Sequence, residues 1–372
     1  MKNKVCYIIS NLDIGGAELS LFKIVTGLSY DFEFTVISFK KIGKVGEALK
    51  NIGINVISLE LENNIQVFTK LKILYKIIKT INPDFVHTWM YHADFFGGLV
   101  SKIAGVKMIH WNIRNTELIK GVALTTRLIG YLNSILSYFI PSKIIFVSES
   151  SKKYHKKLFY CTRKMKVIHN GYDMNKYYYD ESKKKQLRRE LNIPEKSLVI
   201  GSIARYNEYK DHETFINAAV RLLEKNNLIH FVLLGRGVTI ENTALLHLVQ
   251  KSKKQNHFHF LGEKNNINDY YSLFDVFCLH SISEGFPNVL AEAMASKLTC
   301  VSTDVGDARL LIRNDKFLIP PNSPFDLSNK LNQICNMTVQ ERKEIGENNY
   351  KIISLQYNSE ILLKSYFDLY KK

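Results

Sequence analysis

Residues Leu198-Val199-Ile200-Gly201-Ser202-Ile203-Ala204 form an apolar run that passes, through a polar turn, into a segment of helical period at Asp211–Lys225 and then into a second apolar run, His230-Phe231-Val232-Leu233-Leu234. A short apolar run between turn residues suits a strand buried on both faces, and a crossover helix after it sets the next strand parallel. The rhythm continues at His257–Leu261, Val276–Leu279, Thr299–Val301 and Phe317–Ile319. It also runs through the first half, at Val5–Ile9, Phe34–Ser38, Asn55–Leu59, Phe85–Thr88, Met108–Trp111, Lys143–Val147 and Lys166–Ile168. The fold class read from this is α/β, with two doubly wound, Rossmann-like domains whose strand ends face a cleft.

At 372 residues the chain is long enough for two cores of ordinary size. The rhythm breaks at the polar, Tyr- and Lys-rich stretch Asp173–Glu195, which divides the chain into an N-terminal domain at 1–174, a linker at 175–195, a C-terminal domain at 196–338 and C-terminal helices at 339–372. A hydrophobic fraction of 46% with 23% charged residues is a globular composition and excludes long disorder. Five cysteines, odd in number and without metal-ligand spacing, read as reduced thiols. Met1-Lys2-Asn3-Lys4 leads straight into an apolar strand without a cleavage site, so the expected location is cytoplasmic.

The formal charge of +16 is uneven: residues 1–174 hold 24 Lys and Arg against 12 Asp and Glu, which is +12, leaving +4 for the rest. A basic domain suits an anionic partner, either an anionic substrate or the inner face of an anionic membrane, to which the chain would attach peripherally. No nucleic-acid motif accompanies the charge, and no nucleic-acid partner is expected. Ile65–Ile81 interleaves Lys70, Lys72, Lys76 and Lys79 with apolar residues, and its two readings are a helix on an anionic surface or a helix packed on the sheet. Val122–Ile140 is the most apolar helix candidate; Arg127, Asn133 and several Ser and Thr interrupt it, so it reads as a core-packed or interface-touching helix rather than a span.

The densest chemistry lies at Ser283-Glu284-Gly285-Phe286-Pro287-Asn288-Val289-Leu290-Ala291-Glu292. Gly285 and Pro287 mark a turn running into a helix whose first N–H groups can hold a diphosphate, with Glu284 and Glu292 placed to reach hydroxyls on either side. Upstream, Arg205 ends a strand and Lys210 stands before the next helix, a cationic pair at the ligand-binding edge of the sheet.

This combination resembles the retaining glycosyltransferases of the family 4 type, in which a Glu, seven residues and a second Glu flank a nucleotide sugar. The resemblance implies the two-domain fold called GT-B, with a terminal helix that returns to the first domain, and an enzyme that works without a metal or other cofactor. It implies as partners a nucleotide-sugar donor, most simply UDP-linked, and a glycan or lipid-linked acceptor. On this resemblance Arg205 and Lys210 clamp the leaving diphosphate, Glu284 orients the sugar hydroxyls, Glu292 holds the ribose, and Gly285, Phe286, Pro287, Asn288 and Val289 line the donor. Gly15 and Gly16 let the backbone approach donor phosphates and acceptor. His110 stands near the transferred sugar, and Arg114-Asn115 resembles the acceptor-side loop. Asn170 belongs to the hinge, Gly235 to the glycine turn after the second strand of the donor domain, and Leu261 and Gly262 to the edge that pairs with the nucleobase. Ser302-Thr303-Asp304-Val305-Gly306-Asp307 departs from the family's usual Gly-Gly-x-x-Glu loop, which weakens donor contacts there. The rival readings are a sugar-nucleotide epimerase of similar fold and a non-catalytic subunit of a transferase complex.

Overall fold

The computed structural model describes residues 2–61, 66–114 and 123–371, which fall into two compact units: Met1–Gly171 with Glu360–Lys372, and Tyr172–Ser359. In the first unit, strands β1 (Lys4–Ile9), β2 (Glu33–Ser38), β3 (Asn55–Ser58), β4 (Phe85–Trp89), β5 (Met108–Ile113), β6 (Lys143–Phe146) and β7 (Met165–Val167) pair in the order β3-β2-β1-β4-β5-β6-β7, all parallel. In the second, β8 (Leu198–Ile203), β9 (Ile229–Leu234), β10 (Phe258–Phe260), β11 (Val276–Leu279), β12 (Thr299–Thr303) and β13 (Leu318–Ile319) pair in the order β10-β9-β8-β11-β12-β13, again parallel. Both sheets reverse their strand order beside the first strand, at β1/β4 and at β8/β11, which is where doubly wound sheets open to ligand.

Alternation along β1 shows why a continuous apolar run is needed. Val5, Tyr7 and Ile9 enter one core layer with Leu21, Ile24, Val25 and Tyr370, while Cys6 and Ile8 enter the other with Leu74, Ile78, Val86 and Trp111. The helix Ser359–Tyr370 supplies part of the first layer. Its Tyr366 and Tyr370 are buried, the Tyr370 hydroxyl lies 2.7 Å from the Tyr7 hydroxyl, and the Asn112 amide donates to the Tyr366 hydroxyl at 2.7 Å.

The stretch expected as a linker at 175–195 is part of the second unit instead. Its helix Glu181–Glu190 is held by Lys184 and Arg188, both paired to Asp275 at 2.8 and 3.1 Å, and Arg188 also donates to the carbonyls of Pro194 and Ser197. A cation this buried ties the segment down, because leaving it unpaired would be costly. The C-terminal helices also divide between the units. Helix Val339–Gln356 stays in the second, where Gly346 packs so closely that an added Cβ would meet the Lys297 carbonyl at 1.9 Å.

Helix Val67–Ile81 packs on the sheet through Leu74 and Ile78, the second of its two readings, while Ile65 lies outside the described residues. Helix Leu124–Leu136 packs on the core by one face only, with Val122 outside the described residues. Its fully buried positions are Gly130, Asn133 and Ser134; Ile129 and Leu136 pack partly buried on the core, while Leu124, Leu128, Leu132 and Ile135 face outward. Among the described residues no helix is long and apolar enough to cross a membrane.

Candidate functional site

In the second unit, β8 delivers the chain to Arg205, which is exposed, and a short 3₁₀ turn at Glu208–Lys210 follows. The Asn207 side chain accepts from the Lys210 N–H at 3.1 Å and starts that turn. The Lys210 ammonium reaches Glu284 Oε1 at 2.5 Å, with the two side chains 20% and 12% exposed. Ser281 donates to the same carboxylate oxygen at 2.7 Å, so both bonds fall on Oε1. The buried His280 ring holds the turn from beneath, its Nδ1 2.5 Å from the Lys210 carbonyl and its Nε2 2.7 Å from the Ser202 hydroxyl. Burial pushes the pKa of His280 well below the usual range, and the nearby His212 adds to this, so the ring is neutral.

Glu284 leads through buried Gly285, Phe286 and Pro287 into the helix Asn288–Ala295, whose N-terminus carries no side-chain cap. This leaves it suited to an anion. Tyr172 fixes the entry, stacking on Phe286 and donating to Asn288 Oδ1 at 2.8 Å. Beneath the turn lies Gly306, at φ +57°, where an added Cβ would stand 2.3 Å from the Gly285 carbonyl oxygen and 2.5 Å from that of Glu284. The Asp307 N–H donates to the Gly285 carbonyl at 2.9 Å. The Val305-Gly306-Asp307 loop thus serves as a floor for the Glu284 turn. Val289 is half-buried in the first turn of the helix.

Glu292 stands one helical turn further on and accepts from the Tyr271 hydroxyl at 2.9 Å. It borders a cavity of about 460 Å³ that is also lined by Asn175–Tyr178 and Asn265–Asp269. Burial and the neighbouring Glu292 charge raise the hydroxyl pKa values of both Tyr271 and Tyr177, so both remain protonated donors. The sequence reading gave these tyrosines no role; their signals were the Tyr-rich stretch that holds Tyr177 and the pair Tyr270-Tyr271 inside a short helical segment.

The expected nucleobase edge has both of its N–H groups engaged within the unit. The N–H of Leu261 donates to the Leu233 carbonyl at 3.0 Å, and that of Gly262 to the Val238 carbonyl at 2.7 Å. The Gly262 carbonyl accepts from Gly235 at 2.8 Å. These groups extend the sheet and are spent. The cavity beside Glu292 opens instead toward Asn265 and Asn266, a few residues downstream. Gly235, at φ +141°, lies against the Ala204–Arg205 peptide, where an added Cβ would stand 2.1 Å from the Ala204 carbonyl oxygen.

In the first unit, Gly15 and Gly16 open the helix Gly16–Leu28. Space above Gly16 is empty, whereas a Cβ on Gly15 would meet Glu18 Oε2 at 2.4 Å. Glu18 is buried; desolvation raises its pKa and the Arg114 charge partly opposes this. Arg114 donates to Asn170 Oδ1 at 2.7 Å and lies over the Trp89 ring at 5.1 Å, while Ser20 donates to the same amide oxygen at 3.4 Å. Arg114, Asn170 and Gly15 therefore share one polar cluster, in which Glu18 went unrecognised in the sequence; Asn115 lies outside the described residues.

His110 is corrected as well. β5 runs on to Ile113, so His110 sits inside the strand and not at its end. Its ring is 1% exposed and packs against Phe85, His87 and Tyr370, and burial pushes its pKa down to about 4. The structure assigns it to the core beside the terminal helix, away from the polar cluster. Among the described residues no three His, Cys, Asp or Glu side chains converge as ligands for a metal ion.

The family described as Glycosyltransferase Family 4 matches residues 14–176, and the family described as Glycosyl transferases group 1 matches residues 183–352. The N,N'-diacetylbacillosaminyl-diphospho-undecaprenol alpha-1,3-N-acetylgalactosaminyltransferase of Campylobacter jejuni is 28% identical over 346 residues, 88% of this chain and 88% of that protein. The UDP-Gal:alpha-D-GlcNAc-diphosphoundecaprenol alpha-1,3-galactosyltransferase of Escherichia coli is 26% identical over 271 residues, 71% of this chain and 69% of that protein. In fold the chain is similar to the Anabaena protein HepE in complex with UDP, with a TM-score of 0.86 over 98% of both chains at 20% identity.

Proposed function

Because the chain belongs to the glycosyltransferases, its two halves matching the family 4 and group 1 types, we propose that it is a retaining, metal-independent enzyme that moves a hexose or N-acetylhexosamine from a UDP-linked sugar to a lipid-linked or surface-polysaccharide acceptor. The observation that carries the reading is the Lys210–Glu284 pair, held next to an uncapped helix N-terminus. Two relatives whose names give diphospho-undecaprenol acceptors support the acceptor class.

In this reading the donor diphosphate lies on the N-terminus of helix Asn288–Ala295, with Lys210 and Arg205 beside it. Glu284 spends Oε1 on Lys210 and Ser281, and Oε2 accepts from a sugar hydroxyl. Glu292, oriented by Tyr271, accepts from the ribose, and the cavity beside it takes the nucleoside. The acceptor oxygen bonds to the anomeric carbon on the face from which the diphosphate departs. The electron pair of the broken C–O bond goes to the diphosphate, whose freed oxygen takes the acceptor proton. Negative charge grows on that oxygen in the transition state, and Lys210, Arg205 and a helix N-terminus stabilise it more than they stabilise the ground state.

The test incubates EDTA-treated protein with a panel of UDP-sugars and polyprenyl-diphosphate-sugar acceptors, reading product by mass and anomeric configuration by NMR. Transfer with retained configuration is expected. Inverted product or an absolute need for added Mg²⁺ or Mn²⁺ would overturn the mechanism, and conversion of donor alone to its epimer would favour the epimerase reading.

A further inference from the structure

The helix Leu124–Leu136 is apolar beyond the face that meets its domain. Toward the domain it turns Gly130, Asn133 and Ser134 together with the partly buried Ile129 and Leu136, and the following Ser137 is buried as well. The unit supplies hydrogen bonds to this face: Asn133 donates to the Tyr91 carbonyl at 2.9 Å, the Tyr160 hydroxyl donates to the Gly130 carbonyl at 2.8 Å, and the Cys161 N–H donates to the Ser137 hydroxyl at 2.8 Å. Outward it presents Leu124, Leu128, Leu132 and Ile135, followed by Phe139, with exposures of 79%, 60%, 37%, 61% and 70%. Spacings of three and four residues place these on one stripe, and Tyr131 and Tyr138 flank it at 52% and 53% exposed. Leaving such a stripe in water forgoes the burial that normally holds a helix to its domain, and a contiguous exposed apolar face of this kind marks an interaction surface.

Charge identifies the occupant. From Leu118 to Ser148 the sequence contains no Asp or Glu, while Arg127 and Lys143 fall within the span. Lys164 caps the C-terminal end of the helix, its ammonium donating to the carbonyls of Ser137 and Tyr138 at 3.0 and 2.7 Å, and Lys102 lies near enough to repel its charge. An apolar stripe with tyrosines at its margin and cations around it matches the boundary between acyl chains and anionic headgroups. A protein partner would call for carboxylates or neutral polar groups at the rim as much as for cations. The lysine-bearing helix Val67–Ile81 keeps Leu74 and Ile78 in the core, and the apolar side chains it exposes, Phe68, Ile73 and Tyr75, do not follow one another at spacings of three and four residues.

We propose that the helix Leu124–Leu136, continued through Phe139, lies in the surface of an anionic bilayer, with Leu124, Leu128, Ile135 and Phe139 inserted among the acyl chains and Arg127, Lys143 and Lys164 at the headgroups. The attachment is peripheral and in the plane of the membrane. It agrees with a lipid-linked acceptor, yet it rests on this helix and is measured without donor or acceptor, so its failure would leave the proposed reaction untouched.

The test is flotation of the full chain with phosphatidylcholine vesicles and with vesicles containing phosphatidylglycerol. Wild type is expected to float with the anionic vesicles, and salt at about 0.5 M, roughly three times physiological strength, to weaken but not abolish this, because inserted side chains are unscreened. Leu128→Glu with Ile135→Glu should lower the partition coefficient by about tenfold or more, since each exposed leucine-sized group loses its apolar burial. Circular dichroism confirms folding, and Leu128→Gln with Ile135→Gln, which adds no charge, should give the same order of effects with smaller size. Equal flotation of wild type and both variants would overturn the proposal. So would failure of wild type to float, including the case in which light scattering finds a dimer that the substitutions dissociate, which would make the stripe a contact between copies of this chain.

Discussion

Lys210 Nζ and Glu284 Oε1 stand 2.5 Å apart although 74 positions separate the two residues in sequence, and both sit on turns fixed from below, one by His280 and the other by Gly306. The pair is a preorganised charge arrangement between two mostly buried side chains. Lys210→Ala and Arg205→Ala should each lower kcat by about 10²–10³-fold, the usual loss for one preorganised electrostatic contact. The Lys210→Ala, Glu284→Ala double variant should lose less than the two single losses combined, because removing either partner already breaks the pair. Steady-state kinetics of the four proteins checks this, and strictly additive losses would show that the two side chains act independently.

Glu292 and Tyr271 should separate binding from turnover. Glu292→Ala is expected to weaken UDP binding with little effect on kcat, since it stands on the cavity side of the helix. Tyr271→Phe removes one hydrogen bond to that carboxylate and should cost affinity by up to about tenfold, because the bond orients Glu292 without touching UDP itself. Calorimetry with UDP measures both. Unchanged UDP affinity in Glu292→Ala would remove Glu292 from the nucleotide site.

Much of this arrangement was readable before the fold was known. All the strands lay where apolar runs predicted them, and the Glu284–Glu292 spacing placed one carboxylate before a helix and the other within it. What escaped the sequence was long-range. His110 reads as a strand end until β5 is seen to run on to Ile113 and the terminal helix to cover it. Leu261 and Gly262 look available until their N–H groups are found bonded to the neighbouring backbone. The helix Leu124–Leu136 is the sharpest case. Periodicity shows that a helix has two faces, but which face turns inward depends on what the rest of the domain offers it, and here the domain offers hydrogen-bond partners for Asn133 and Gly130.

Gly306 and Gly16 should respond oppositely to an added methyl group. Gly306→Ala forces an unfavourable positive φ and drives a Cβ into two backbone carbonyls, and neither carbonyl can move without shifting the Glu284 turn. A loss of about 3 kcal/mol or more is expected, with kcat falling alongside stability. Gly16→Ala meets nothing within 4 Å at a helix start and should be neutral or gain roughly 0.5 kcal/mol. Urea denaturation compares the two. A stable, fully active Gly306→Ala protein would show that the floor beneath Glu284 is not needed.

Acid should destabilise the fold between about pH 6.5 and pH 4. His110, His155 and His212 are buried, and burial pushes each pKa down to about 4. The unfolded chain, with histidine pKa values of about 6.5, binds protons through this window while the folded chain does not. Stability from these groups is therefore complete above pH 6.5 and drains away as the pH falls, by up to about 1.4 kcal/mol per pH unit for each histidine. Asp94 and Glu18 act in the opposite sense, because burial raises their pKa values and the folded chain keeps protons that the unfolded chain gives up. The histidines outnumber them, so the net slope should favour neutral pH. His155→Gln removes one titrating group, whose ring lies 2.6 Å from the Tyr91 hydroxyl and 2.8 Å from the Ser151 carbonyl. It should lower stability at pH 7 while flattening the profile by about one proton. Urea midpoints at about pH 7, 6 and 5 measure both proteins. A wild-type chain that grows more stable toward pH 5 would mean that the buried carboxyl groups, and not the histidines, set its response to acid.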